Sequence, residues 1–86
     1  MRLPANVQRG AAFLDEHVPG WRAHIDPYTL DLSYCRQCVL GQVFGDYNDG
    51  VALLGLTHKD ARRLGFHRWG RQTFARLTDA WRQVVS

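Results

Sequence analysis

The sequence has almost no lysine, few cysteines and no long apolar run, and each shortage excludes something. Lys59 is the single lysine among eleven basic residues. The arginine bias fits a GC-rich coding genome as well as a selected binding surface. Two cysteines, Cys35 and Cys38, are too few for the disulfide framework expected of a secreted chain of 86 residues. The longest apolar run, Val51 to Leu56, includes two small residues and is too short to span a bilayer. No apolar leader segment follows Met1. The expectation is a soluble cytoplasmic protein with no membrane partner. Neither a GxGxxG nor a GxxxxGK[ST] loop occurs, and Ser33 and Ser86 lie on no glycine-flanked elbow. The acidic residues form no evident pair for hydrolysis. Catalytic residues and cofactors are therefore not expected, and the chain reads as a non-enzyme.

What is present suits a small folded domain. Hydrophobic residues make up 45% of the chain, enough for a core without a metal or disulfide. The length allows one domain, 1–86, either monomeric or as a homodimer. Its periodicity predicts an all-α fold of four to five short helices, with central helices near 34–44 and 71–85. Val7, Ala11, Leu14 and Val18 form one apolar stripe, with Asn6 as the expected cap and Pro19-Gly20 as the stop. Gly10 weakens that helix, and its missing side chain suits a close approach by another element. Trp21 and Ile25 suit a single helical turn, and Leu30 and Leu32 anchor the connection after it. Ser33 or Asp31 is the expected cap of the 34–44 helix, with Gly45 as its end. Asp46 to Gly50 reads as a polar loop with an Asp-Gly turn, and Val51 to Leu56 as helix or coil. Thr57 to Asp60 matches a capping box, and Leu64-Gly65-Phe66 its helix stop. Phe74, Leu77, Trp81, Val84 and Val85 give the clearest stripe of all.

Charge is divided unevenly. Residues 1–57 carry four basic and six acidic side chains, a net −2. Residues 58–86 carry seven basic side chains against Asp60 and Asp79, a net +5. This polarity points to an acidic partner or nucleic acid at the C-terminal half. Its candidate contact residues are Arg62, Arg63, Arg68, Trp69, Arg71 and Arg76. Trp69 sits among arginines outside any stripe, a composition common in binding hot spots; packing at the core edge is the plainer alternative. The stretch from Leu56 to Phe74 also looks like the start of a bacterial helix-turn-helix module, in which Arg68, Arg71 and Arg76 would meet DNA. Gly70 and the core-like stripe after it depart from that pattern. Cys35 and Cys38 form a CxxC that, with His58 and His67, has the residue types of a structural zinc site. The wide gaps between these residues favour two ordinary core cysteines instead.

Nearly the whole chain resembles a set of small proteins of actinobacteria and actinobacteriophages. The resemblance rests on Pro19-Gly20-Trp21 and the Leu30-Asp31-Leu32-Ser33 block. The run from Cys38 to Tyr47 also carries it, and the Cys38-Val39-Leu40-Gly41-Gln42 block is its most specific part. Leu64-Gly65-Phe66 and Leu77-Thr78-Asp79-Ala80-Trp81-Arg82 complete it. It implies a phage or prophage origin, and with it a host protein as partner. It carries no assigned site residues.

Overall fold

Proline and glycine punctuate the chain much as their backbone preferences require, but two of the expected helices begin elsewhere. The computed structural model describes residues 3–86. The first helix, α1, spans Ala5–His17. Pro4 precedes it at φ −55°, with its carbonyl accepting the Gln8 N–H. Asn6, the expected cap, instead lies inside the first turn and is buried. Proline already supplies the helix-compatible entry. The Asn6 amide oxygen accepts the Val7 N–H at 3.0 Å, so it still serves one orphan donor.

Beyond His17 the chain turns at Gly20, φ 82°, into one 3-10 turn over Trp21–His24. Trp21, Ile25, Leu30 and Leu32 are all buried, as their spacing suggested.

The helix expected over 34–44 is only half there. Residues 31–38 form a closed loop. The Asp31 N–H donates to the Gln37 carbonyl, and the Tyr34 carbonyl accepts from Gln37 and Cys38. The Asp31 carboxylate accepts from both the N–H and the hydroxyl of Ser33. This local competition for backbone partners keeps the segment out of a helix. The helix proper, α2, is Val39–Phe44, and its cap is Cys38, whose sulfur accepts the Gly41 N–H at 3.2 Å. Gly41 is required here: any Cβ would run into the backbone of Cys35 and Arg36, which folds back over this first turn.

The polar loop expected at Asp46–Gly50 is instead the start of α3, Tyr47–Leu53. Asp46 caps it through the Asn48 N–H at 2.9 Å. Gly50 is helical and buried because a Cβ there would lie 2.9 Å from both Leu40 and Phe44. The glycine marks close packing of α3 on α2, not a turn.

The fourth helix, α4, is His58–Arg63, with both halves of the Thr57/Asp60 capping box formed. The last, α5, is Phe74–Val85, capped by Thr73 and starting three residues later than expected. The result is an all-helical compact single globule with no strand among the described residues. No helix among them is long and apolar enough to cross a membrane.

An aromatic spine holds the globule together. Trp81 of α5 stacks on Phe66, with centroids 5.7 Å apart, and meets Trp21 edge-on at 5.8 Å. Its indole N–H donates to the buried Gly65 carbonyl at 2.6 Å. All three aromatic side chains are essentially fully buried. α1 crosses this spine at Gly10, where a Cβ would overlap the Leu64 carbonyl and crowd Trp81. Gly10→Ala therefore costs at least the ~1–3 kcal/mol typical of core overpacking.

Candidate binding surface

Six of the residues singled out in the sequence lie on α4, on the 64–73 connection and on the first turn of α5. Their placement begins with the end of α4. The Gly65 N–H donates to the Arg62 carbonyl, and the Phe66 N–H to the Ala61 carbonyl. With Gly65 at φ 72°, these bonds form a Schellman stop. The stop turns Ala61 and Phe66 inward while Arg62 and Arg63 face solvent. Arginines in the last turn also complement the partial negative charge of a helix end, which contributes modestly to α4.

The following segment is short of apolar contacts and is tied down by one amide pair. Gln72 and Asn6 exchange two hydrogen bonds, each 2.9 Å. The Asn6 amide also donates to the Arg62 carbonyl at 3.3 Å. Gln72 accepts the Trp69 N–H at 2.8 Å, and its own N–H returns to the Trp69 carbonyl. Gly70, at φ 61°, makes that tight turn possible. The clasp thus joins α1, the end of α4 and the Trp69 turn. Neither Asn6 nor Gln72 stands out in the sequence as a site residue. They are 66 positions apart, and no local pattern links them.

Trp69 is 46% exposed, held out on this turn away from the aromatic spine. Arg68, Arg71 and Arg76 are also exposed. Arg68 lies over the Phe74 ring, 5.8 Å from its centroid. Among the described residues, none of Arg62, Arg63, Arg68, Arg71 and Arg76 forms an ion pair, and none uses its guanidinium in a hydrogen bond. Asp60, the acid nearest Arg62 and Arg63 in sequence, is committed to the Thr57 cap, whose bonds hold its carboxyl below the usual range, and Asp79, three residues from Arg76, pairs with Arg82. The surface therefore presents charge that its own carboxylates do not neutralise.

The spacing of the two elements departs from a helix-turn-helix. Residues 64–73 separate α4 from α5, against a turn of about three or four residues in that motif. Leu77, Thr78, Ala80 and Trp81 bury one face of α5, leaving Ala75, Arg76, Asp79 and Gln83 outermost.

Cys35, Cys38, His58 and His67 do share a neighbourhood. All four line one cavity of about 290 Å³. Even so, among the described residues no three His, Cys, Asp or Glu side chains stand where they could hold one metal ion. Two of their donor atoms have partners of their own. Cys38 caps α2, and burial pushes its thiol up to about 11, so it is protonated at neutral pH. His58 Nδ1 lies 3.3 Å from the Tyr47 hydroxyl, and its ring meets that of His67 edge-on at 4.7 Å. Burial also lowers the His67 pKa, with help from the nearby charges of His58, Arg62 and Arg68. The expectation of two core cysteines needs correcting too. Cys38 is buried, but Cys35 is exposed on the closed loop.

No protein-family model, curated protein or solved structure matches the chain.

Proposed function

We propose that this chain is a non-enzymatic binding or regulatory module of phage or prophage origin that engages an acidic surface of a host protein. The contact residues are Arg62, Arg63, Arg68, Trp69, Arg71 and Arg76. The observation that carries this reading is five exposed guanidiniums, without carboxylate partners among the described residues, on α4, α5 and the connection that holds the half-exposed Trp69. Arginine and tryptophan are the residue types that most often dominate interface energetics, and unneutralised charge steers an acidic partner into place. The Asn6–Gln72 clasp ties down the Trp69 turn, which lowers the backbone-ordering cost of docking there.

The test is affinity capture from host lysate with the native protein and a variant carrying Arg62→Glu, Arg63→Glu, Arg68→Glu and Arg71→Glu. A partner retained by the native chain and lost by the variant is the expected result. An unchanged set of captured proteins would overturn the assignment of this surface.

The same exposed arginines support a second reading, a small DNA-binding regulator. It requires duplex affinity that survives near-physiological salt, with log K falling by roughly 0.9 per phosphate contact for each log unit of salt. The long 64–73 connection and the buried face of α5 place this reading second.

A further inference from the structure

A groove beside the arginine surface has chemistry that the arginines alone do not specify. It lies between α1 and α4, has a volume of about 380 Å³, and is lined by Arg9, Phe13, Leu56, Asp60, Arg63 and Leu64. Phe13, Leu56 and Leu64 form an apolar floor, each packed on one side against the core. Phe13 is held in place by His17, 4.3 Å between centroids, and by the edge of Phe66 at 6.5 Å. Arg9 and Arg63 supply the charge. The Arg9 Nε donates to the Arg63 carbonyl at 3.1 Å, which fixes that guanidinium across the two helices while its Nη groups form no hydrogen bond among the described residues. Asp60 is the one acid in the lining, and its carboxylate is turned to the Thr57 N–H at 3.0 Å.

We propose that this groove receives one face of an acidic amphipathic helix of a partner protein. An apolar side chain would sit on Phe13, Leu56 and Leu64, with flanking carboxylates on Arg9 and Arg63. The inference rests on the reading of the basic half as a protein-contact surface, and adds the kind of segment it binds. Charge complementarity selects the occupant: an apolar floor bounded by two arginines suits a segment that pairs aliphatic or aromatic anchors with Glu or Asp. A nucleic-acid backbone would satisfy the arginines but leave the floor without an apolar partner. An added strand has nothing to join, because no strand edge exists among the described residues. That leaves side-chain docking into a groove.

The experiment uses the full chain and a synthetic labelled peptide with Leu and Phe at i, i+3, i+4 and i+7 and Glu at the flanking positions. Fluorescence anisotropy gives the affinity, and amide shift mapping gives the place. Saturable binding is expected, with shifts at residues 9, 13, 56 and 63–64. Affinity should fall roughly tenfold or more for Arg9→Glu, and again for Leu56→Ser, the scale of losing one anchor contact. Circular dichroism controls for folding, and Arg9, being exposed, keeps the test valid if Leu56→Ser is unstable. A peptide with Glu replaced by Gln, and one with Leu and Phe replaced by Ser, should each bind more weakly by a similar factor. No saturable binding overturns the groove. Shifts confined to 67–72, with Arg9→Glu without effect, also overturn it but leave the Trp69 surface standing. Duplex DNA that binds the groove and is insensitive to Leu56→Ser overturns it in favour of a phosphate surface.

Discussion

Two sets of arginines in this chain behave in opposite ways. Arg22 and Arg82 are built into the structure. Arg22 bonds to the Asp15 carboxylate at 2.6 Å and lies 4.7 Å over the Trp21 ring. The same carboxylate oxygen accepts the Trp21 indole N–H at 2.9 Å. Arg82 bonds to Asp79 and also donates to the Pro27 and Leu30 carbonyls, closing the 25–32 connection onto α5. Among the described residues, Arg62, Arg63, Arg68, Arg71 and Arg76 form no such bonds, and only Arg68 lies over a ring, that of Phe74. Identical side chains thus serve cohesion in one region and are left available in the other. Composition alone hides that difference, because the deciding feature is whether a carboxylate or a bare carbonyl lies within reach. Arginines of the first kind should influence stability, and those of the second kind binding.

The contrast depends on the clasp that presents the second set, so breaking the clasp should have the largest effect. Gln72→Ala leaves the buried Asn6 amide without its reciprocal partner and frees the Trp69 turn. Asn6 keeps its bonds to the Arg62 carbonyl and the Val7 N–H, so the variant loses the three side-chain bonds of Gln72. At about 0.5–1.5 kcal/mol per net hydrogen bond, we expect a loss of about 2 kcal/mol in urea unfolding. Gln72→Glu separates the amide's donor from its acceptor role: it keeps an acceptor for the Trp69 N–H but cannot donate to Asn6. An unchanged unfolding midpoint for Gln72→Ala would show that the clasp does not hold the two regions together.

Arg82→Ala comes next. Hydrogen bonds from charged groups are worth roughly 1.5–3 kcal/mol, and the partial exposure of Arg82 favours the lower end, about 1.5 kcal/mol. By contrast, alanine at Arg62, Arg63, Arg71 or Arg76 should shift stability by no more than about 0.5 kcal/mol each, since no ion pair or guanidinium hydrogen bond among the described residues is lost, and Arg68→Ala by no more than about 1 kcal/mol through its contact with Phe74. Thermal unfolding of the six single variants tests the comparison directly. Equal shifts at Arg82 and at the five others would erase it.

Much of the fold was legible because its signals are local. The α4 capping box and the Leu64-Gly65-Phe66 stop lie within a few residues of each other, and the α5 stripe repeats within one helix. The errors arose where a local signal meant something else. Cys35 and Cys38 carry helical spacing, yet the Asp31–Gln37 closure ends any helix there and makes a thiol the cap of α2. Asp49-Gly50 is a turn signal, yet Gly50 is small because Leu40 and Phe44 crowd it. In the candidate site, the exposed arginines were readable from charge, whereas the place of Trp69 outside any stripe fitted both a binding anchor and packing at the core edge, and it is half-exposed. The clasp was not readable, and neither was the Thr78 hydroxyl that accepts the buried Leu32 N–H at 2.9 Å. Both join residues far apart in sequence, and only the assembled fold brings them together.

The smallest expected effect concerns pH, and it marks the boundary between the two regions. His67 lies between the Tyr47 and Phe74 rings and beside His58, with Arg68 next in the chain. Burial is the main cause of its lowered pKa, and the charges of His58, Arg62 and Arg68 act in the same direction. The unfolded chain, with an ordinary histidine pKa of 6.5, therefore binds a proton more readily than the folded one. Stability from this group is complete above pH 6.5 and declines as pH falls below it, through the folded value. The carboxyls of Asp15 and Asp31 are also lowered, the first mainly by the Trp21 indole bond and the second by the Ser33 hydroxyl. Their contributions are lost only at more acidic pH, as they protonate below the ordinary 3.8. The two windows do not overlap, so a denaturation series from pH 8 to about pH 5 isolates the histidine. We expect stability to hold from pH 8 to about pH 6.5 and to fall slightly below it, with that fall reduced in His67→Asn. The arginines themselves stay charged throughout. An equal pH slope in the variant would mean that neither burial nor the neighbouring charges lower the His67 pKa.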